Sequence, residues 1–509
     1  MTEEKPYLTG LPLILATIAL SLSTFLMVLD YSIANVSIPY IAGDLAVSVD
    51  QGTYVITSFA VGSAILLPIT GWITKRLGLI RTMVLSVAGF TILSWVCGMA
   101  VSLPMLVVTR FFQGLAAGPM VPLSQSILVQ IFPPEKRNTA LGFWSTIVVV
   151  APILGPILGG WISYDINWSW IFYINIPFGL FSAFIIHSVL KPFETKKEKM
   201  PTDWVGLLLL AVGVSSLQFL LDKGQQYDWL RSPLIRTCVV TSIVCFIFLI
   251  AWELLHKYPI LELKLLKIRS YALSLLFIGV SYAIYFGAVV LVPLWLQTNM
   301  GYTPIWAGLA VAPIGIMPFL FSGLMGRWVK KVGPILPLFI CFILFALSSF
   351  DTSFLNTNVD FWYVAFSRFL LGFALLFMIV PLFTLSLQDL EDWQLPSGTG
   401  MLHFIRAMVG GVGTSVFTTM WQRRSAFHHS NLAAEITTTN QPAGEFFKTL
   451  DGLHLDKAQQ LDVVNEVVNH QAAVLGINDC FWIMGWTFVG LCLFLLLGRK
   501  KKVRYTPLA

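Results

Sequence analysis

The stretch GWITKRLG at residues 71–78 returns as GRWVKKVG at 326–333, an offset of 255, and RFFQG at 110–114 returns as RFLLG at 368–372, an offset of 258. Val-Pro-Leu follows in both copies, at 121–123 and 380–382. Apolar helices resemble one another by chance, but glycines and basic residues recurring at nearly one offset mark an internal duplication. Around these segments lie fourteen apolar runs, at approximately 13–37, 52–71, 80–99, 103–127, 138–162, 169–190, 203–221, 235–255, 271–297, 305–326, 334–350, 361–387, 397–421 and 479–497. Each is close to the roughly 20 residues a helix needs to cross a bilayer. Six runs precede the pair at 203–221 and 235–255, and six follow it. The expected fold class is therefore an all-α membrane protein of two six-helix bundles plus two inserted helices. The domains read as 1–190, an inserted region 191–270, and 271–509, the last containing a long polar segment at 422–478.

Composition excludes the other classes. Of 509 residues 56% are hydrophobic and 11% charged, and the mean hydropathy is +0.78. A soluble domain carries about 25% charged residues, so a soluble enzyme, a disordered chain and a disulfide scaffold are ruled out. The net charge of +6 does not point to nucleic acid, because of where the charges lie. With the N-terminus in the cytoplasm, 22 of the 32 Lys and Arg fall in cytoplasmic loops, seven outside and three within spans. That is the asymmetry of the positive-inside rule, and it puts both termini in the cytoplasm. The first apolar run is too long and too poorly flanked for a cleaved signal. The six cysteines sit in or beside apolar runs without a CxxC, as packed thiols do. The segment 422–478 should lie outside as a folded cap or a partner's docking surface. Within it, Leu461, Val464, Val467 and Val468 suggest an amphipathic helix over 456–471.

Several chemistries are missing. No Gly-Lys dipeptide exists to build a phosphate-cradling loop, which removes direct ATP coupling. No H-E-x-x-H or other metal pattern is present, adjacent His428 and His429 read as solvated, and no convergent acid–base group suggests a membrane hydrolase. No cofactor or metal is implied. Transport driven by an ion gradient remains.

Asp30 is the carboxylate deepest inside a span. A charge at the bilayer centre costs roughly 2.5–3.5 kcal/mol on insertion scales, so Asp30 should face inward and have a partner. It lies seven residues before the outer end of its run, and Arg110 lies seven after the start of its own. At 1.5 Å per residue both sit on the order of 10 Å below the same interface, which makes Arg110 the expected partner and the pair the proton-coupling group. The second copy repeats the arginine, as Arg368, but not the acid; Asp30 corresponds to the neighbourhood of Ile284 and Tyr285. The first bundle is thus expected to handle protons. Asn35, Gln113, Tyr282, Tyr285, Arg368, His403 and Arg406 are expected to line a substrate cavity. Small residues of the fifth run, Gly142, Ala151, Gly155, Gly159 and Gly160, suit close helix approach, and Pro156 should kink it.

These features resemble the major facilitator superfamily, and within it the fourteen-span drug:proton antiporters of the EmrB/QacA type. LDYSIANVSIP at 29–39 is similar to that group's first-helix motif, with Asp30, Asn35 and Pro39 in place. GWITKRLGLIR at 71–81 resembles the superfamily loop between helices 2 and 3 through Gly71, Arg76, Gly78 and Arg81, and departs from it where Lys75 replaces a common Asp. Arg110 and Gly114 match the fourth-helix motif associated with proton transfer. Gly142, Gly155, Pro156, Gly159 and Gly160 match the fifth-helix antiporter motif, with Ala151 replacing its second glycine, and WSWIFYINIPFG at 168–179 is also typical. PLSQSILVQIFPPEKR at 122–137 and the long outer segment look most like the EmrB-like exporters. The resemblance implies a proton-coupled multidrug efflux antiporter in a bacterial inner membrane. It would exchange hydrophobic small molecules for protons and work with a periplasmic membrane-fusion adaptor and an outer-membrane channel. Alternatives are a dedicated exporter of fatty acids or another anionic amphiphile, and proton-symport uptake.

Overall fold

The computed structural model describes residues 7–133, 136–198, 201–437, 440–453 and 455–497, apart from the side chains at 49, 50, 148, 149, 153, 156, 304 and 497. Basic residues expected at the cytoplasmic face at 5, 199 and 499–504 lie outside that set. All regular structure among the described residues is helical. The first bundle comprises α1 (Gly10–Asp44), α2 (Tyr54–Leu66 and Thr70–Leu77, bent by 61°), α3 (Leu79–Gly98), α4 (Leu103–Ile131), α5 (Arg137–Asp165) and α6 (Trp170–Phe193). Two helices follow, α7 (Trp204–Lys223) and α8 (Pro233–Leu255). Then come α9 (Arg269–Asn299), α10 (Ile305–Val332), α11 (Ile335–Thr352), α12 (Phe361–Leu387), α13 (Leu395–Glu435), the short α14 (Gln441–Asp451) and α15 (Lys457–Leu497).

The duplication read from the sequence is a repeated packing scheme. In the first bundle α1 packs on α5, α2 on α4, and α3 on α6; in the second, α9 packs on α13, α10 on α12, and α11 on α15. Glycines set how near the backbones come. A Cβ on Gly114 would stand 2.2 Å from the Phe59 carbonyl oxygen, and one on Gly62 would stand 2.2 Å from that of Phe111, so α2 and α4 touch through bare backbone. On α5, a Cβ at Gly155 would fall 2.4 Å from Ser32 Oγ, and one at Gly159 would fall 2.7 Å from the Ile33 carbonyl oxygen. The N-terminal and C-terminal parts of α5, Arg137–Pro152 and Ile157–Asp165, differ in direction by 42°. Pro156 offers no N–H to the Pro152 carbonyl four residues back, and Ser32 Oγ on α1 donates to that carbonyl at 3.0 Å.

Among the described residues, eleven helices are long and apolar enough to span a membrane, or up to 13 if each bent pair, in α2 and in α5, is one span. The expected run at 397–421 is the helix α13, which falls short on apolarity because it carries Ser397, Thr399, His403 and Arg406. Its first turns are buried among other helices rather than turned to lipid.

The segment at 422–478 differs more from expectation. The helix expected over 456–471 is present, but it is the start of α15, which runs from Lys457 as one helix with the last apolar run, and α13 extends to Glu435. Val464 and Val468 on α15 pack with Leu450 of α14 and with Leu432 and Ile436. Leu461 and Val467, expected on the same buried stripe, are 59% and 46% exposed. Nor is His428 solvated. Its Nε2 lies 2.7 Å from Asp479 Oδ2, which also pairs with Arg424 at 2.5 Å, because α13 and α15 continue side by side.

Gly114→Ala should lower the thermal midpoint of the detergent-solubilised protein, since overpacking a tight contact costs about 1–3 kcal/mol. Gly279→Ala, with nothing within 4 Å of its added Cβ, should be neutral or slightly stabilising. Equal midpoints for the two variants would remove the close-contact argument.

Candidate functional site

Four helices of the first bundle deliver polar side chains to one dry point. Asp30 comes from α1, Ser94 from α3, Arg110 and Gln113 one turn apart from α4, and Asn175 from α6; all five are fully buried. Arg110 Nη1 donates to Asp30 Oδ2 and, at 2.8 Å, to Gln113 Oε1. Arg110 Nε donates to the Val55 carbonyl of α2 at 3.2 Å, which is within reach because Gly114 lets α4 lie against α2. Asn175 Nδ2 donates to Asp30 Oδ1 at 2.9 Å and to Ser94 Oγ at 2.9 Å, and Gln113 Nε2 reaches Ser94 Oγ at 3.0 Å. The guanidinium lies 4.2 Å from the Phe59 ring centre and 5.4 Å from that of Phe172. Among the described residues Arg110 Nη2 has no hydrogen-bond partner. The carboxylate ties Arg110 of α4 to α1, and Asn175 and Ser94 extend the network to α6 and α3, so one ion pair joins four helices.

The other expected cavity residues do not share one chamber. Gln113 belongs to the Asp30 network. Arg368 and Tyr285 line a small cavity inside the second bundle. Tyr282 is buried, with the Arg406 guanidinium 5.4 Å from its ring centre. His403 is also buried, its Nε2 2.8 Å from Gln125 Oε1 of α4 and its ring against Trp144 and Phe383. It therefore sits in the seam between bundles, filled on all sides, rather than in open space. Asn35 is exposed on α1, donating to the Tyr31 carbonyl at 3.2 Å.

The sequence reading missed Asn175 and Ser94. Asn175 lay within the WSWIFYINIPFG motif, and an amide in an apolar run was the available signal; Ser94 offered none. Asp222 was also missed, being placed just past the end of its run at 221. It is the penultimate residue of α7, exposed, hydrogen-bonded by Gln218 Nε2 at 3.0 Å, and electrostatically coupled to Tyr31 of α1.

The contacts between bundles gather toward the face that carries the loop at 71–81, here called the basic face. A Cβ on Gly71 would overlap Ser397 of α13, with 1.9 Å to its Oγ, and one on Gly142 would come 2.4 Å from the Ser322 carbonyl oxygen of α10. Gly160 makes no such approach, its added Cβ standing 4.0 Å from Val36. Lys75 pairs with Glu262, ahead of α9, and lies 4.9 Å from the Trp393 ring centre between α12 and α13. Arg76 donates to Thr202 Oγ1 in the segment leading to α7. Gly78 has φ +100°, a turn that suits glycine. Just beyond it, Glu194 accepts from the backbone N–H of Ile80 at 3.1 Å and of Arg81 at 3.0 Å, capping α3; the Arg81 side chain is exposed. Toward the opposite face α7 bridges the bundles. Lys223 Nζ donates to Thr53 Oγ1 at 2.6 Å, and Ser415 Oγ of α13 donates to the Leu221 carbonyl at 2.9 Å.

The family model described as the Major Facilitator Superfamily matches residues 20–417. The chain belongs to that superfamily. It is 42% identical over 490 residues to the multidrug export protein EmrB of Escherichia coli strain K12, covering 96% of each chain. It is 42% identical over 478 residues to the fatty acid resistance protein FarB of Neisseria gonorrhoeae, covering 94% of each. The EmrB-like resemblance carried by the motifs is thereby borne out, and the chain is a multi-pass membrane transporter of the EmrB-like kind. The human organic anion transporter MFSD10 matches the fold with a TM-score of 0.61 at 14% identity, over 96% of this chain and 100% of that one.

Arg110→Gln should destabilise the protein by about 3–5 kcal/mol, the cost of leaving a buried charge without its partner. Combining it with Asp30→Asn should recover much of the loss. Thermal melts of the two variants check this, and equal losses would mean that Asp30 is uncharged beside Arg110.

Proposed function

We propose that this chain is a proton-coupled antiporter that exports hydrophobic and amphiphilic compounds across a bacterial inner membrane, with its basic face and both termini in the cytoplasm. The observation that carries the reading is the fully buried Asp30–Arg110 pair, held by Gln113, Asn175 and Ser94 within the first bundle alone. Relatives named for multidrug export and fatty acid resistance support the direction of transport and the apolar character of the cargo. On this reading the bundles are closed to the cytoplasm in the present conformation. Protonation of Asp30 removes its charge from Arg110 and frees α1 and α4 to shift against α5, whose glycines are the sliding surface. One charge crossing 100 mV is worth about 2.3 kcal/mol, enough to bias a cycle of small helix movements. Arg406, partly exposed beside Tyr282, favours as a second reading cargo with an anionic head, such as a fatty acid.

Asp30→Asn preserves shape without charge. It should still bind substrate, lose substrate-induced proton release in detergent, and lose gradient-driven export in vesicles. Proton release and export equal to the unaltered protein would make Asp30 a packing residue and remove the mechanism.

The reading also gives α14 and the adjoining ends of α13 and α15 to a periplasmic membrane-fusion adaptor that leads on to an outer-membrane channel. Leu453, Leu461 and Val467 are exposed there, 64%, 59% and 46% respectively, beside a packed cluster that keeps the projection rigid. Deleting 441–451 should abolish capture of the adaptor and resistance in cells, while export in vesicles persists. Loss of both together would mean that the projection serves the transporter's own fold.

A further inference from the structure

The second bundle contains an altered copy of the Asp30 site. In the first bundle α1, α3, α4 and α6 supply that network; their counterparts α9, α11, α12 and α15 line a single small cavity. At the offset of 258, Arg110 corresponds to Arg368 and Gln113 to Leu371; at the offset of 255, Asp30 corresponds to Tyr285 and Ser94 to Ser349. All four counterparts line the cavity, and Phe481 of α15 faces it where α6 presents Asn175. The cation and a hydroxyl have been kept. The carboxylate and both amides have been lost.

This leaves Arg368 in an unusual position. It is 2% exposed. Its Nη2 donates to Thr352 Oγ1 and, at 3.3 Å, to Ser367 Oγ, both neutral groups, and among the described residues its Nε has no hydrogen-bond partner. Ser348 Oγ on the cavity wall is unpartnered too. Among the described residues no carboxylate forms an ion pair with Arg368 within 4.0 Å. Asp351 acts on it from farther away and is engaged by Tyr363. Phe345, Phe481 and Phe488 form much of the remaining wall, so little around the guanidinium screens its charge, and attraction for an opposite charge is strong there. A buried cation without a counter-charge in contact is costly, and Asp351 offsets only part of that cost from beyond ion-pair distance.

We infer that the cavity beside Arg368 binds a small monovalent inorganic anion of about chloride size, which takes the place that the Asp30 carboxylate holds in the first bundle. The guest is small because the cavity, which is partly open, has room for about one water-sized body; a monatomic anion somewhat larger than water would fill it, and an acyl chain would not enter. Arg368 supplies the charge, and the Ser348, Ser349 and Thr352 hydroxyls can turn to donate. A neutral water would fill the space but leave the charge uncompensated. This site is independent of what the protein transports.

The test uses the full-length protein in detergent, with chloride exchanged for gluconate at constant ionic strength. Chloride at ten times its Kd should raise the thermal midpoint by about 1 °C, and bromide should do the same. Ala288→Asp places a carboxylate on the cavity wall beside Arg368 and should make the midpoint indifferent to chloride. A bromide-soaked crystal should show an anomalous peak within hydrogen-bonding distance of the Arg368 guanidinium. A midpoint in the unaltered protein that does not respond to chloride overturns the inference. So does an undiminished response in Ala288→Asp, or a cavity that holds only water at the bromide edge.

Discussion

A carboxylate and a guanidinium with no access to water hold one another in the first bundle, and the surrounding helices are placed as that pair requires. Each charge alone is costly in a span; together they are tolerable only if their remaining hydrogen-bonding positions are filled. Asn175 and Gln113 serve Asp30, while the Val55 carbonyl and two aromatic faces serve Arg110. These groups come from α1, α2, α4 and α6, so no helix can turn far without leaving a buried charge short of a partner. The bare-backbone contact at Gly62 and Gly114 belongs to the same constraint, because it sets the distance from Arg110 to α2.

Duplication supplied two scaffolds and divergence gave them different contents. Both bundles pair their helices in the same order, so the interior point where α1, α3, α4 and α6 meet has a counterpart among α9, α11, α12 and α15. In one bundle that point is filled with hydrogen-bonded polar groups around an ion pair. In the other a single arginine faces a small cavity walled by phenylalanine, tyrosine and three hydroxyl side chains.

The two inserted helices add a restraint of their own. The segment between α6 and α7 lies along the 71–81 loop, capping α3 through Glu194 and holding Arg76 through Thr202. Lys75 of the same loop turns to Glu262 at the far end of the insertion and to Trp393 in the second bundle, so the insertion anchors this loop from both of its ends. Toward the opposite face α7 touches both bundles, through Lys223 and Leu221.

Much of the architecture was legible in the residues alone. Span positions followed from apolar runs, the duplication from two short repeats, and the Asp30–Arg110 pairing from equal depth, since helical rise is constant. Hydropathy, however, is a property of one residue at a time, and it failed where neighbours decide. The segment at 422–478 is polar enough to read as a loop yet is mostly helix, because α13 and α15 support each other beyond the apolar runs. The run at 397–421 reads as a span, yet its helix α13 is too polar to count as one by composition, its first turns shielded by other helices. Gln113, His403 and Arg368 all read as cavity residues. Only the rotation of each helix about its axis put the first in a dry ion-pair network, the second in a closed seam and the third against a small cavity with only hydroxyl partners. That rotation is set by packing among several helices at once, and no single run of sequence contains it.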